Sequence, residues 1–282
     1  MAGLLSGLAS LGLEHLEHME LFTEEKEKDK KASLEKIEKV PIDESQLIYD
    51  KRIVCPVCGK AFFSKVMKTG KAKLLSTDWD LRPIYEGIDA NKYGVTQCTY
   101  CGYAALSNSF SSITDTQREN IRKMISSSVV LSPYIENVYE YQDAIERYKL
   151  CLACAVVKKV KNSEKAYICL KYAWLYRGYA ESLIEEEQKE ELKKAKQQEL
   201  LCIQNAYKGF VTARSTENYP MCGMDSATVD YLIAALAVHL KKYDIAEKLL
   251  SNLLTTQGTN KRTKDKIRDL MELMKDQKSK NA

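Results

Sequence analysis

The spacing of apolar residues changes character three times along the chain. Near the start, Leu4, Leu5, Leu8, Leu11, Leu16, Met19 and Phe22 recur at the helical period and predict an amphipathic helix over residues 4–22. Leu13 and Leu21 fall off that stripe, and Gly3, Gly7 and Gly12 interrupt it. The next stretch, 23–39, is almost wholly charged. Glu24 precedes Lys28 and Glu35 precedes Lys39 at the i,i+4 spacing of a solvated helix, and the same composition also suits a tether. Pro41 ends it.

From about residue 46 the period shortens. The runs "RIV", "AFFSKVM" and "YGVTQ" are strand-like and lie between turn residues such as Pro56, Gly59, Gly70, Pro83, Gly87, Gly94 and Gly102. At 114–117 Thr114 and Gln117 have capping-box spacing, which predicts a helix start. Ser132 before Pro133 predicts another, and the pattern from 133 to about 275 is helical, with breaks near 161–165, 215–225 and 255–260. Within it a motif repeats. Ala144, Tyr148 and Cys151, then Ala206, Phe210 and Ala213, then Ala246, Leu250 and Leu253 share a small–x3–large–x2–small-or-apolar spacing. That is the second-helix pattern of a tetratricopeptide repeat, in which a small residue sits where two helices touch. An ordinary antiparallel bundle also uses small contact residues, and the irregular intervals leave room for it.

The predicted fold is therefore mainly α with a small β zinc-ribbon, a tetratricopeptide-like array following a four-cysteine domain. Its divisions are an extension at 1–45, the ribbon at 46–112, the helical domain at 113–275 and a tail at 276–282. By length alone the ribbon depends on its metal ion, while the array stands by itself.

Composition narrows the function classes. The chain has 282 residues, 45% of them hydrophobic and 29% charged, with a net charge of only +4. It is no polycation, so any basic patch is local. No apolar run is long enough to span a membrane, and the first residues lack the basic start of a secretory signal. The expected location is cytoplasmic, where disulfides are rare; an odd count of nine cysteines agrees.

Six of those cysteines form three C-x2-C pairs. Cys55 with Cys58 and Cys98 with Cys101 are each followed by glycine, Gly59 and Gly102. A metal knuckle needs two thiolates facing one ion and a tight turn that aims backbone N–H groups at sulfur, which glycine permits. Two knuckles make a four-thiolate site, with the 39 residues between Cys58 and Cys98 carrying an insert around 76–93. Zinc is the expected ion and iron the alternative, since "CGY" at 101–103 resembles a rubredoxin knuckle. The shell leaves no open position, so the expected role is structural. The third pair, Cys151 and Cys154, lies mid-helix without a turn residue and reads as buried packing; Cys169, Cys202 and Cys222 read as packing or loop thiols. His15 and His18 read as solvent-facing, and His239 as a core or boundary residue. The acidic run at 185–194 reads as an exposed helix face. No phosphate-binding glycine loop, zinc-protease helix or nucleophile elbow is present.

One stretch is unevenly charged. Residues 51–76 carry Lys51, Arg52, Lys60, Lys65, Lys68, Lys71 and Lys73 with no acid. Lysines that blunt a sheet edge explain this best, and contact with nucleic acid is the alternative.

Together "CPVCGKAF", "DLRPIYEGIDANKYGVTQCTYCGYAAL", "AIERYKLCL", "AYICLKYAWLYRGYAE" and "YLIAALAVHLKKYDIAEKLL" resemble the bacterial family catalogued as domain of unknown function 2225, over roughly residues 48–255. The resemblance implies a bacterial cytoplasmic protein with a zinc-ribbon-like head and a tetratricopeptide-like body, and brings no activity with it. The expected function is thus a non-enzymatic interaction protein. Its helical surface holds twelve of the seventeen tyrosines and takes a protein or peptide partner. A nucleic-acid-associated factor and an iron redox protein are the alternatives.

Overall fold

The computed structural model describes residues 42–130, 135–256 and 261–280. The segments read at 4–22 and 23–39, with His15 and His18, lie outside them, as do Ser132 and Pro133.

Three antiparallel hairpins come first: β1 (Ile48–Val54) with β2 (Ala61–Met67), β3 (Leu74–Thr77) with β4 (Pro83–Tyr85), and β5 (Val95–Gln97) with β6 (Ala104–Leu106). In β2 the pleat buries Phe62 and Ser64 and turns Phe63 outward, as a half-covered sheet requires. Strands β3, β4 and β6 have three or four residues each, too few to show alternation in the sequence.

The helices are α1 (Asp115–Ile121), α2 (Tyr141–Val157), α3 (Asn162–Ser182), α4 (Lys189–Thr216), α5 (Ser226–His239), α6 (Tyr243–Thr255) and α7 (Lys261–Lys280). Helix α1 starts at Thr114 with the predicted reciprocal bonds: Gln117 N–H donates to Thr114 Oγ1 and Thr114 N–H to Gln117 Oε1. The next helix starts later than the pattern predicts. Residues 135–140 are not helical. Tyr139 is buried beneath the first hairpin, where its hydroxyl accepts the Lys65 N–H, and the Asp143 carboxylate accepts the Glu140 N–H, so α2 opens at Tyr141. The acidic run differs too. It is exposed, as expected, but residues 183–188 form a connection. Helix α4 begins only at Lys189, with Glu190 and Glu191 placed at its positive N-terminal end. Helix α7 continues through Lys280, into the stretch read as a tail.

Consecutive helices from α2 to α7 pack on one another, so the body is an array. All nine residues of the repeated motif are buried, from Ala144, Tyr148 and Cys151 to Ala246, Leu250 and Leu253. The small residues admit the neighbouring helix and the large ones fill the remaining gap. The repeat is uneven, with 28 residues in α4 and 14 in α5.

One hydrophobic core runs from the hairpins into the helices. It joins Val57, Phe62, Val95, Tyr103 and Leu106 to Tyr148, Cys151, Leu170, Leu175, Phe210 and Leu232. A second core holds α5, α6 and α7 together, through Val238, Leu250, Ile267 and Leu270. No described helix is long and apolar enough to cross a membrane.

Candidate metal centre

The two predicted knuckles fold alike. At the end of the first hairpin Cys55 N–H donates to the Lys60 carbonyl at 3.0 Å and Gly59 N–H to the Cys55 carbonyl at 2.9 Å. At the end of the third, Cys98 N–H donates to the Tyr103 carbonyl at 2.8 Å and Gly102 N–H to the Cys98 carbonyl at 3.0 Å. Gly59 and Gly102 have φ of +74° and +72°, the left-handed turn for which glycine is suited. Val57 N–H points at the Cys55 sulfur and Tyr100 N–H at the Cys98 sulfur, each at 3.4 Å. Such donors offset negative charge on thiolate.

The four sulfurs lie within 4.8 Å of one another. Cys55 Sγ is 3.6 Å from Cys101 Sγ, and Cys58 Sγ is 3.7 Å from Cys98 Sγ. A tetrahedron with metal–sulfur bonds of about 2.3 Å has edges of about 3.8 Å, so the spacing suits one ion at the centre. Cys55, Cys98 and Cys101 are buried and Cys58 is half-buried. Hydrogen bonds from Cys101 and Cys55 push the Cys98 thiol far below its ordinary range, whereas hydrogen bonds with Cys55 and Cys98, and burial, push Cys101 up. Four thiols this close hold negative charge unequally, and only a cation lets all four ionise together.

The surrounding residues brace the site. Arg122, just beyond α1, donates to the Val57 carbonyl through Nε at 3.1 Å and Nη2 at 2.6 Å. Behind the knuckles Phe110 meets Phe62 edge-on and Tyr103 at a tilt, and Tyr103 donates to the Phe110 carbonyl at 3.1 Å. The third C-x2-C pair stands apart from the four sulfurs. Cys151 and Cys154 are buried in α2, and Cys154 Sγ accepts the Ala104 N–H at 3.4 Å, so this thiol backs the second knuckle. Burial pushes the Cys154 thiol up to about 11, which keeps it neutral. Cys169 and Cys202 are buried packing thiols, and Cys222 is exposed in a loop.

Sequence reasoning missed what the insert does. The tip of the β3–β4 hairpin docks on the helices through charge. Arg177 of α3 donates to Asp80 at 2.7 Å, to Asp78 at 2.9 Å and to Glu199 of α4 at 2.7 Å. Arg82 bonds Asp78 at 2.8 Å and grips both carboxylate oxygens of Glu181 at 2.7 and 2.8 Å. Asp80 is fully buried. Trp79 stacks on His239 with ring centroids 5.1 Å apart, and its carbonyl accepts from the Tyr231 hydroxyl at 2.8 Å. His239, expected in the core or at its boundary, is instead exposed at the end of α5 and stacked on an aromatic ring. The one clue in the sequence was "DWD" in a turn, two acids and a large ring where polar loop residues suffice.

No curated protein and no solved structure matches the chain. Residues 48–274 match one family, a span that covers both knuckles, the docked hairpin, α1 to α6 and most of α7, and on that match the chain belongs to the family described as uncharacterized protein conserved in bacteria, DUF2225.

Proposed function

We propose that this chain is a cytoplasmic, non-catalytic zinc protein whose tetratricopeptide-like array holds an apolar peptide with acidic flanks. The observation that carries this reading is a groove of about 460 Å³ between α4, α5 and α6. Tyr207, Val211, Ile233, Ile245 and Leu249 supply its apolar wall. Arg214 and Lys248 are its charged lining residues and no carboxylate lines it; Arg214 is already held by Asp230 of α5 at 2.6 and 3.1 Å, so the charge offered to an acidic flank is that of Lys248. Val211 and Ile245 remain 41% and 44% exposed, a cost in water that an apolar anchor would relieve. The four-thiolate shell supports zinc in a structural role, because sulfur donors favour zinc and fill every tetrahedral position.

Two measurements test this reading. Purified protein should carry about one zinc per chain; Cys98→Ser should lose it and Cys151→Ser should keep it. Full metal in Cys98→Ser, or iron in place of zinc, overturns the metal assignment. Separately, peptides selected from a random library on the full chain should pair apolar anchors with Asp or Glu. They should lose binding to the Val211→Glu, Ile245→Glu double variant. Selected peptides that bind this variant as well as the parent chain overturn the groove.

A further inference from the structure

The knuckle end of the first hairpin carries a combination that edge protection does not explain. In β1 and β2, Arg52 is paired with Phe63 and Val54 with Ala61, so Arg52, Val54 and Phe63 project from the same side of the hairpin. The opposite side is the packed one, with Phe62 and Ser64 buried. Phe63 is 51% exposed and Val54 60% exposed. Beyond the strand end, Lys60 sits 4.9 Å over the ring of Tyr100, which is itself 52% exposed. Two rings are thus exposed to water, Phe63 on strand β2 across from Arg52 and Tyr100 in the second knuckle beneath Lys60. Among the described residues, no carboxylate pairs with Lys51, Arg52 or Lys60.

The charge distribution points the same way. The seven cations of residues 51–76 exceed the net charge of the whole chain, +4, so the remainder is net acidic. A four-thiolate zinc site contributes two negative charges, which offsets only part of that excess. Lysine alone keeps a sheet edge soluble and monomeric. Exposed Phe63 and Tyr100 work against that purpose, since they add apolar area to the protected surface. The surface is the open side of a two-stranded hairpin, with Arg52, Val54 and Phe63 exposed along it. Rings flanked by unpaired cations suit a chain of planar groups joined by phosphates, whose bases stack while the backbone meets the cations.

We infer that the knuckle end of the protein, with Arg52 and Phe63 on the outer face of the first hairpin and Lys60 and Tyr100 on the two knuckles, binds single-stranded nucleic acid by base stacking and phosphate contact. This is independent of the peptide groove, which lies on α4 to α6.

The test is anisotropy of a short labelled single strand with the full-length, metal-loaded protein across a salt series, using RNA and DNA of one sequence. Binding should weaken as salt rises. Arg52→Ala and Lys60→Ala should each reduce the slope of log affinity against log salt by about 0.7, the share of one released counterion on a single strand. Phe63→Ala should weaken binding about tenfold at fixed salt and leave that slope unchanged, because a lost stacking contact carries no counterion. Phe63→Leu keeps the surface apolar and should lose the same affinity, which separates stacking from general stickiness. Metal content equal to the parent's shows that each variant is folded at the knuckles. Three results overturn the inference: no salt-dependent binding at low salt, equal affinity for a duplex of the same sequence, or an acidic polypeptide that competes while Phe63→Ala binds normally. The last would make the face a general polyanion surface. A difference between RNA and DNA identifies which strand is preferred.

Discussion

At Gly102 an added methyl group would meet Val129 Cγ1 at 2.7 Å, and the backbone already sits at a φ of +72°. Gly59 has a φ of +74° but open space around it. Two glycines with the same turn thus have different tolerances. Gly59→Ala should cost about 1 kcal/mol, the strain of a left-handed alanine. Gly102→Ala should cost clearly more, because Val129 must also move. Urea unfolding of the two variants checks this, and equal costs would mean that Val129 yields freely. A second residue-scale prediction concerns His239. Desolvation where its ring lies on Trp79 lowers its pKa below the ordinary 6.5, and nearby Arg177 acts in the same direction, opposed by Glu199 and Asp80. The folded protein thus favours the neutral ring. The unfolded chain takes up a proton first as pH falls, so this contribution to stability is present above 6.5 and is lost on acidification. Because His239 stacks on Trp79, its titration has a built-in optical reporter. In a Trp174→Phe variant, Trp79 emission should fall on acidification with a midpoint below 6.5, since imidazolium quenches indole. A midpoint at or above that value would show that the stacked ring is fully solvated.

Among the elements, the β3–β4 hairpin has the largest effect for its size. Its contacts reach α3 and α5, and through Lys266 to Thr77 at 3.2 Å they reach α7; Arg177 carries the network on from α3 to Glu199 of α4. The ion pairs in it are unequal. Asp80 is enclosed and faces Arg177, whose side chain is 12% exposed, whereas Glu181 is 55% exposed. Removing a partner from a buried pair costs up to about 3–5 kcal/mol where the charge left behind is uncompensated; without Asp80, Arg177 keeps Asp78 and Glu199, so the cost here stays below the top of that range. An exposed pair is worth about 0–1 kcal/mol. Asp80→Ala should therefore lower stability several-fold more, in free energy, than Glu181→Ala. Similar costs for the two in urea titration would mean that water reaches Asp80. This hairpin was also the least legible part of the chain. The knuckles could be read because their chemistry is local: two thiols, a turn and a glycine within five residues. The buried faces of the helices could be read because they are periodic, as at Ala144, Tyr148 and Cys151. Asp80 meets Arg177 across 97 residues, and no period or motif encodes such a pairing. The start of α2 was misplaced for a related reason. Pro133 is a sound local signal, but the contact that pins Tyr139 is to Lys65, 74 residues earlier in the chain.

For the whole molecule the question is what metal loss does. From length alone, the ribbon should unfold and the array should persist. The shared core changes that expectation. Val57, Phe62, Val95 and Tyr103 pack in the same buried core as Tyr148, Leu170 and Phe210, so the knuckle hairpins share their apolar layer with the helices; only a smaller cluster, Leu47, Ile48, Ile88 and Tyr93 around Tyr139, lies outside it. Cys154 ties α2 to the second knuckle, Arg122 ties the end of α1 to the first, and the Trp79 hairpin spans the array beyond them. A structural zinc is worth about 10–16 kcal/mol in small peptides, against about 5–15 kcal/mol for the net stability of a whole domain. Removing it should exceed what the hairpins can sustain, and their collapse would expose the face of α2 and α3 that they cover. Trp79 and Trp174 report the two regions separately. In single-tryptophan variants, Trp174→Phe and Trp79→Phe, a strong chelator should change both emissions at the same chelator concentration. Helical circular dichroism should fall with them. Coincident curves mean one cooperative unit, with zinc setting the stability of the helices as well as of the head. If Trp79 responds while Trp174 and the dichroism hold, α2 to α5 keep their packing without the hairpins, and the shared core is a contact between two separately stable parts.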